Sequence, residues 1–160
     1  MKKVMTIIAA VTGILVILGG GYFVSECPCD QLPGVALWGD EVTEPVEDWS
    51  FANDVTLCQL QVTNGVFPQS LNLNCMSGDG VLTISCSRCE GKRWSSIAMK
   101  NPVGKIRIGD LVYPVRLTRL TDPGALDTSW YVRREKLAGL GRDVSRERPE
   151  HWWSFQLESL

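Results

Sequence analysis

The sequence predicts a mainly β (α+β) chain: a small six-stranded antiparallel barrel with flanking helices, preceded by one N-terminal transmembrane helix. Three observations carry this. An uncharged run of 21 residues, Val4 to Val24, follows Lys2 and Lys3. Six short segments alternate apolar and polar residues and are joined by hairpin-length turns, not by long crossovers. Beyond the first run, only two stretches place apolar residues at helical spacing.

The apolar run comes first. At about 1.5 Å per residue, a helix of this length is close to the thickness of a hydrocarbon core. Positive charge prefers the cytoplasmic side, so Lys2 and Lys3 place the N-terminus inside and the chain after Tyr22 on the extracytoplasmic, periplasmic side. A cleaved signal peptide is the rival reading. The run exceeds a usual h-region and no A-x-A site follows it, which favours an uncleaved anchor. Lipid attachment at Cys27 is disfavoured because Glu26 precedes that cysteine.

Residues 26–54 follow as an acidic, Pro-containing tether and lead-in, with Pro28, Pro33 and Pro45 among eight acids and no base. Trp38, Trp49 and Phe51 suggest that its later part docks on the domain. The barrel domain is then 55–160. "VTLCQLQV" (55–62) and "SLNLNCM" (70–76) alternate, "SGDG" turns, and "VLTISC" (81–86) returns. "KRWSSIAMKNP" puts Trp94, Ile97 and Ala98 on one helical face and stops at Asn101 and Pro102. "GKIRI", "GD" and "LVYPVRLTRLT" form a second hairpin, where Pro114 argues for an edge or bulged strand. Asp122 and Pro123 open a larger helix that Gly139 and Gly141 end, and "WWSFQLESL" gives the sixth strand.

The net charge of −2 conceals a segregation. Residues 88–119 carry eight bases (Arg88, Lys92, Arg93, Lys100, Lys105, Arg107, Arg116, Arg119) against Glu90 and Asp110. Such a block is ordinarily a solvated face, and it is also what a phosphate or another anion requires. Nucleic acid is a poor partner for an extracytoplasmic domain with net negative charge. A Ser/His/Asp set is excluded in practice by a single histidine, His151, beside two tryptophans. The acids of 40–54 read as a solvated face, not as metal or glycosidic chemistry.

Six cysteines in an oxidising compartment call for disulfides, though spacing alone does not give their connectivity. Cys86-x-x-Cys89 has the spacing of a zinc half-site and of a redox pair. No metal is expected, because the second pair, Cys27-x-Cys29, is distant and wrongly spaced. A redox pair should open a helix after a parallel strand, which this one does not. Cys86 and Cys89 are therefore disulfide candidates before others, with Cys58 and Cys75, on neighbouring predicted strands, either packed or bridged.

With this order of elements, residues 70–122 resemble the FMN-binding split-barrel superfamily, which contains the pyridoxamine 5'-phosphate oxidases, flavin reductases and deazaflavin-dependent reductases. The matching strings are "SGDG", "VLTIS", the cationic turn and helix "KRWSSIAMKNP", "GKIRIGDLVYPVRLTRLTD", and the aromatic last strand "HWWSFQLES". They cover about half of the soluble part and are specific as an ordered set more than singly. The resemblance implies a split barrel, usually a homodimer with sites between subunits, and bound FMN. It places the phosphate and ribityl chain at Ser85, Ser87, Arg88, Lys92, Arg93 and Trp94, and lets Trp152 or Trp153 reach the ring. Cys86 and Cys89 depart from the family's usual turn. Two functions follow: an anchored flavoprotein passing electrons or hydride between FMN and a small acceptor, or a split-barrel module that binds or assembles at the membrane without catalysis.

Overall fold

The computed structural model describes residues 2–143 and 145–160. In chain order the elements are α1 (Lys2–Glu26), β1 (Asp40–Glu41), a 3-10 turn (Ser50–Asn53), β2 (Cys58–Asn64), β3 (Phe67–Gly78) and β4 (Val81–Ser87). Then come α2 (Arg93–Lys100), β5 (Val103–Ile108), β6 (Leu111–Arg119), α3 (Pro123–Gly139) and β7 (Trp152–Ser159). The strands run β6-β5-β2-β3-β4-β7, and β7 pairs back onto β6, closing six antiparallel strands into a barrel. No residue of α1 is buried, and the helix is long and apolar enough to cross a membrane.

Period-two alternation decides which side chains fill the barrel. Leu60, Ile84, Ile106 and Val115 are completely buried in its core. The barrel ends are closed by aromatics. At the Gly80 end, Trp49 enters from the lead-in, its N–H donating to Gly80 O at 3.0 Å and its ring edge-on to Tyr113 at 5.2 Å. At the other end of β4, α2 inserts Trp94, whose ring is 5.5 Å from Phe155. Asp79 and Gly80 both take positive φ (50° and 77°), the requirement of a type I′ hairpin turn, which explains the "DG" between β3 and β4.

The larger helix, α3, starts as its sequence suggests: Asp122 accepts the N–H of Ala125 at 2.8 Å and Pro123 occupies the first turn. It lies on the outer faces of β3 and β7, where Met76, Trp130 and Trp152 form a second, smaller core. Gly78 permits this approach. A Cβ there would stand 2.5 Å from a methyl of Val132.

Two expectations are corrected. Pro114 lies in a strand paired on both sides, not at a free edge. Its carbonyl accepts the N–H of Leu160, so the side lacking its own N–H faces the gap between β1, which pairs with Leu111 and Val112, and β7, which pairs from Val115 onward. The residues just after α1 are also no free tether. Cys27 is buried, Gln59 Nε2 donates to Pro28 O at 3.1 Å, and Asn72 Nδ2 donates to Asp30 O at 2.8 Å. Gly34 and Ser70 exchange backbone bonds, and Leu37 N–H donates to Gln61 Oε1. The outward amides of β2 and β3 thus grip the lead-in, serving the backbone of a segment that has almost no ladder of its own.

Candidate functional site

The site nominated by the sequence lies where β4 leaves the barrel and α2 begins. Leu82, Ile84 and Cys86 of β4 belong to the core, so Thr83, Ser85 and Ser87 face outward by alternation. Arg88 takes a positive φ of 54° and Gly91 one of 75°, folding the chain sharply between strand and helix. A disulfide joins Cys86 to Cys89 across this fold, and Cys89 is fully buried beneath it. The turn is tied further by Lys92 N–H to Cys89 O at 3.1 Å and by the Ser95 hydroxyl, which donates to the carbonyls of Cys89 and Lys92.

Lys92 is the N-cap of α2 with an extended backbone, and no side chain caps the helix. The first N–H groups of a helix have no intrahelical partners, so this terminus presents uncapped donors. Ser87, Arg88, Lys92 and Arg93 are all exposed around it. Ser85 lies one step back along the strand, 2% exposed, with its hydroxyl oxygen buried and unpartnered. Ser85 is thereby closed to a ligand, and Ser87, Arg88, Lys92 and Arg93 suit a small anion: cations and one hydroxyl beside the positive end of a helix.

The aromatic candidates are placed differently. Trp94 points into the barrel core and Trp152 is packed edge-on against Trp130 at 5.1 Å, with 3% and 2% exposure respectively. Both are occupied by packing and withdrawn from a ligand. Trp153, opposite Cys86 in the β4–β7 register, is half-buried, and the Arg119 guanidinium lies 3.5 Å from its ring centroid. Arg119 was legible only as a member of the basic block; its place over Trp153 depends on pairing between β6 and β7. Its Nε is buried without a partner. A hollow of about 360 Å³ borders the same region, lined by Ala98, Met99, Arg116, Arg119 and Phe155 among others. On α3, Arg133 stacks on Trp130 at 5.0 Å, and burial holds its pKa below the usual arginine value.

Comparison with solved structures places this geometry. The chain overlays on a Listeria innocua protein assigned as a pyridoxamine 5'-phosphate oxidase with a TM-score of 0.54 and 12% identity, over 68% of this chain and 87% of that one. A Bacteroides thetaiotaomicron protein assigned to 5-nitroimidazole antibiotic resistance gives 0.54 and 8% identity, over 84% and 91%. An F420-H2 dependent reductase gives 0.50 and 12% identity, over 77% and 100%. The fold is the split barrel. No family model matches the sequence, and no curated protein matches it. At such identities the likeness establishes the split barrel alone, and the roles of single side chains rest on the geometry of this one.

Two further disulfides are Cys27–Cys29, which closes a turn at the end of α1, and Cys58–Cys75, which joins β2 to β3. The second lies in the main core, where Cys58 and Cys75 are 1% and 0% exposed. Neither bears on the cationic turn.

Proposed function

We propose that this chain is a membrane-anchored flavoprotein of the extracytoplasmic side. In this reading α1 holds it in the membrane, the barrel pairs as a homodimer, and FMN binds with its phosphate at the turn from Ser87 to Arg93. The observation that carries the reading is the meeting of Lys92 and Arg93, both exposed, with the uncapped N–H groups of α2. An anion satisfies both at once. The exposed hydroxyl of Ser87 adds a hydrogen bond on the strand side, whereas Ser85, 2% exposed, is as withdrawn as Trp152. The extracytoplasmic placement is supported by Lys2 and Lys3 before α1 and by three disulfides, which belong to oxidising compartments.

The phosphate end of the ligand fits these residues. Of the aromatic side chains nominated for the ring end, Trp153 remains, with Arg119 over it. Bound FMN would supply transfer of electrons or hydride to a small acceptor. The chain's own part is to hold the phosphate, and no side chain is assigned a proton. The fold relatives named for pyridoxamine 5'-phosphate oxidase and for an F420-H2 dependent reductase support redox chemistry over hydrolysis.

The withdrawal of Trp94 and Trp152 into packed cores favours a second reading, a split-barrel module that binds or assembles at the membrane without catalysis. The two separate cheaply. Full-length protein purified in detergent, incubated with FMN and passed through a sizing column, is expected to carry the flavin's visible absorption band with it. Elution without that band would overturn the flavoprotein and leave the module.

A further inference from the structure

We propose that the face of the barrel around Leu32 and Trp38 rests in the interfacial layer of the membrane crossed by α1, fixing the barrel at one height and orientation on the bilayer. This rests on the reading of α1 as an uncleaved anchor and adds to it where the barrel sits.

The helix cannot swing freely from the barrel. Its last residue, Glu26, is followed at once by the buried Cys27, whose disulfide to Cys29 closes a tight turn. Cys29 and Leu32 exchange backbone hydrogen bonds at 2.8 and 3.2 Å, and the amides of Gln59 and Asn72 hold Pro28 and Asp30 from β2 and β3. The position of α1 in a bilayer therefore sets the position of this face.

Trp38 gives the height. It lines a shallow hollow with Gly20, Gly21, Val24 and Ser25, against the last turns of α1, where two glycines carry no side chain. Those residues span the final ~9 Å of the helix at 1.5 Å per residue. The apolar run ends at Val24, and Glu26 is the first charge beyond it. A side chain at this level meets the boundary between acyl chains and headgroups, the layer in which tryptophan is enriched. Packing within the barrel does not account for Trp38, which is 60% exposed, whereas Trp49, Trp94, Trp130 and Trp152 are at most 6% exposed. Its backbone is nonetheless fixed, because Arg107 Nη1 donates to its carbonyl at 2.9 Å. Leu32, 61% exposed, stands on the turn directly after the helix. The occupant is a lipid surface met by aromatic and apolar contact. The acids of residues 26–54, with no base among them, give this segment no attraction to anionic headgroups.

The test uses the full-length chain and its Trp38→Phe variant in phosphatidylcholine vesicles containing phosphatidylcholine brominated high on the acyl chains. Wild type is expected to lose part of its tryptophan emission to the bromines, and Trp38→Phe to lose the larger part of that quenching while the remaining emission stays unchanged. Flotation with the vesicles and intact mass, read on the same samples, examine the anchor separately. A chain that fails to float, or is shortened, overturns the anchor and with it this inference. A chain that floats at full mass with equal quenching in both variants overturns the seat of Trp38 alone.

Discussion

The ammonium of Lys136 on α3 donates to the carbonyl of Cys75 on β3 at 2.6 Å, and the same nitrogen reaches the carbonyl of Ala52 at 2.7 Å. One side chain thus fastens the outer helix both to the barrel wall and to the 3-10 turn that leads Trp49 into the barrel. Burial pushes its pKa down to about 8, and the carboxylate of Asp54 partly opposes that shift.

Replacing Lys136 by Met removes both bonds and leaves two carbonyls without their donor. Hydrogen bonds to charged groups contribute about 1.5 to 3 kcal/mol, and the cost of burying the ammonium, which also lowers its pKa, offsets part of this, so the expected loss lies below the lower figure. Urea unfolding of the two proteins at neutral pH measures it.

The same group gives a pH dependence of known sign. The folded chain releases the Lys136 proton near pH 8, whereas the unfolded chain keeps it until about 10.5, so the unfolded state binds more protons in between. Stability therefore rises with pH as the medium passes from about 8 toward 9.5. Lys136→Met should flatten that rise. The range stops short of 10 because buried Tyr113 has a raised pKa, and its ionisation acts in the opposite direction.

Peptide mapping without reduction is expected to recover Cys27–Cys29, Cys58–Cys75 and Cys86–Cys89 as the three bridges. Cys58–Cys75 closes the longest loop, with a sequence separation of 17. Its replacement by two alanines should cost about 3 kcal/mol, by constraint of the unfolded chain, in equilibrium unfolding. Another partner for Cys58 or Cys75 would contradict the register between β2 and β3.

Much of the barrel was legible because its strands alternate cleanly: Leu60, Val62, Ile106 and Ile108 fall on one face of their strands, and "DG" between β3 and β4 demands a hairpin. What was not legible depends on partners far away in the chain. Pro114 looked like an edge marker because sequence shows the missing N–H but not that β1 and β7 leave a gap opposite it. The residues after α1 looked like a tether because their bonds come from side chains of β2 and β3, and a two-residue strand such as β1 has no period to detect. Lys136 gave no signal, since a lysine on a helix is ordinarily solvated. At the candidate site, the cations of the turn were visible as a block, whereas the burial of Trp94 and Trp152 follows from which face of α2 and β7 the barrel and α3 happen to cover.

Trp49 makes the lead-in part of the barrel, so its loss should be felt globally. It is 2% exposed, next to Tyr113 and Phe51. Trp49→Ala is expected to cost about 3 to 5 kcal/mol, the range for deleting a large buried aromatic, whereas Trp38→Ala should leave the unfolding midpoint nearly unchanged. Thermal melts of both variants check the contrast.

Titration calorimetry of FMN into wild type, Arg93→Glu and Arg148→Ala tests the account most directly. Arg93 is exposed at the first position of α2, where a glutamate suits the helix dipole, so the fold should persist while attraction for phosphate becomes repulsion. Arg148 pairs with Asp127 of α3 at 2.8 Å and serves as the control. A lost charged hydrogen bond of about 1.5 to 3 kcal/mol corresponds to a Kd raised about tenfold or more for Arg93→Glu, with Arg148→Ala unchanged. Equal FMN affinity in wild type and Arg93→Glu would contradict the phosphate site at this turn.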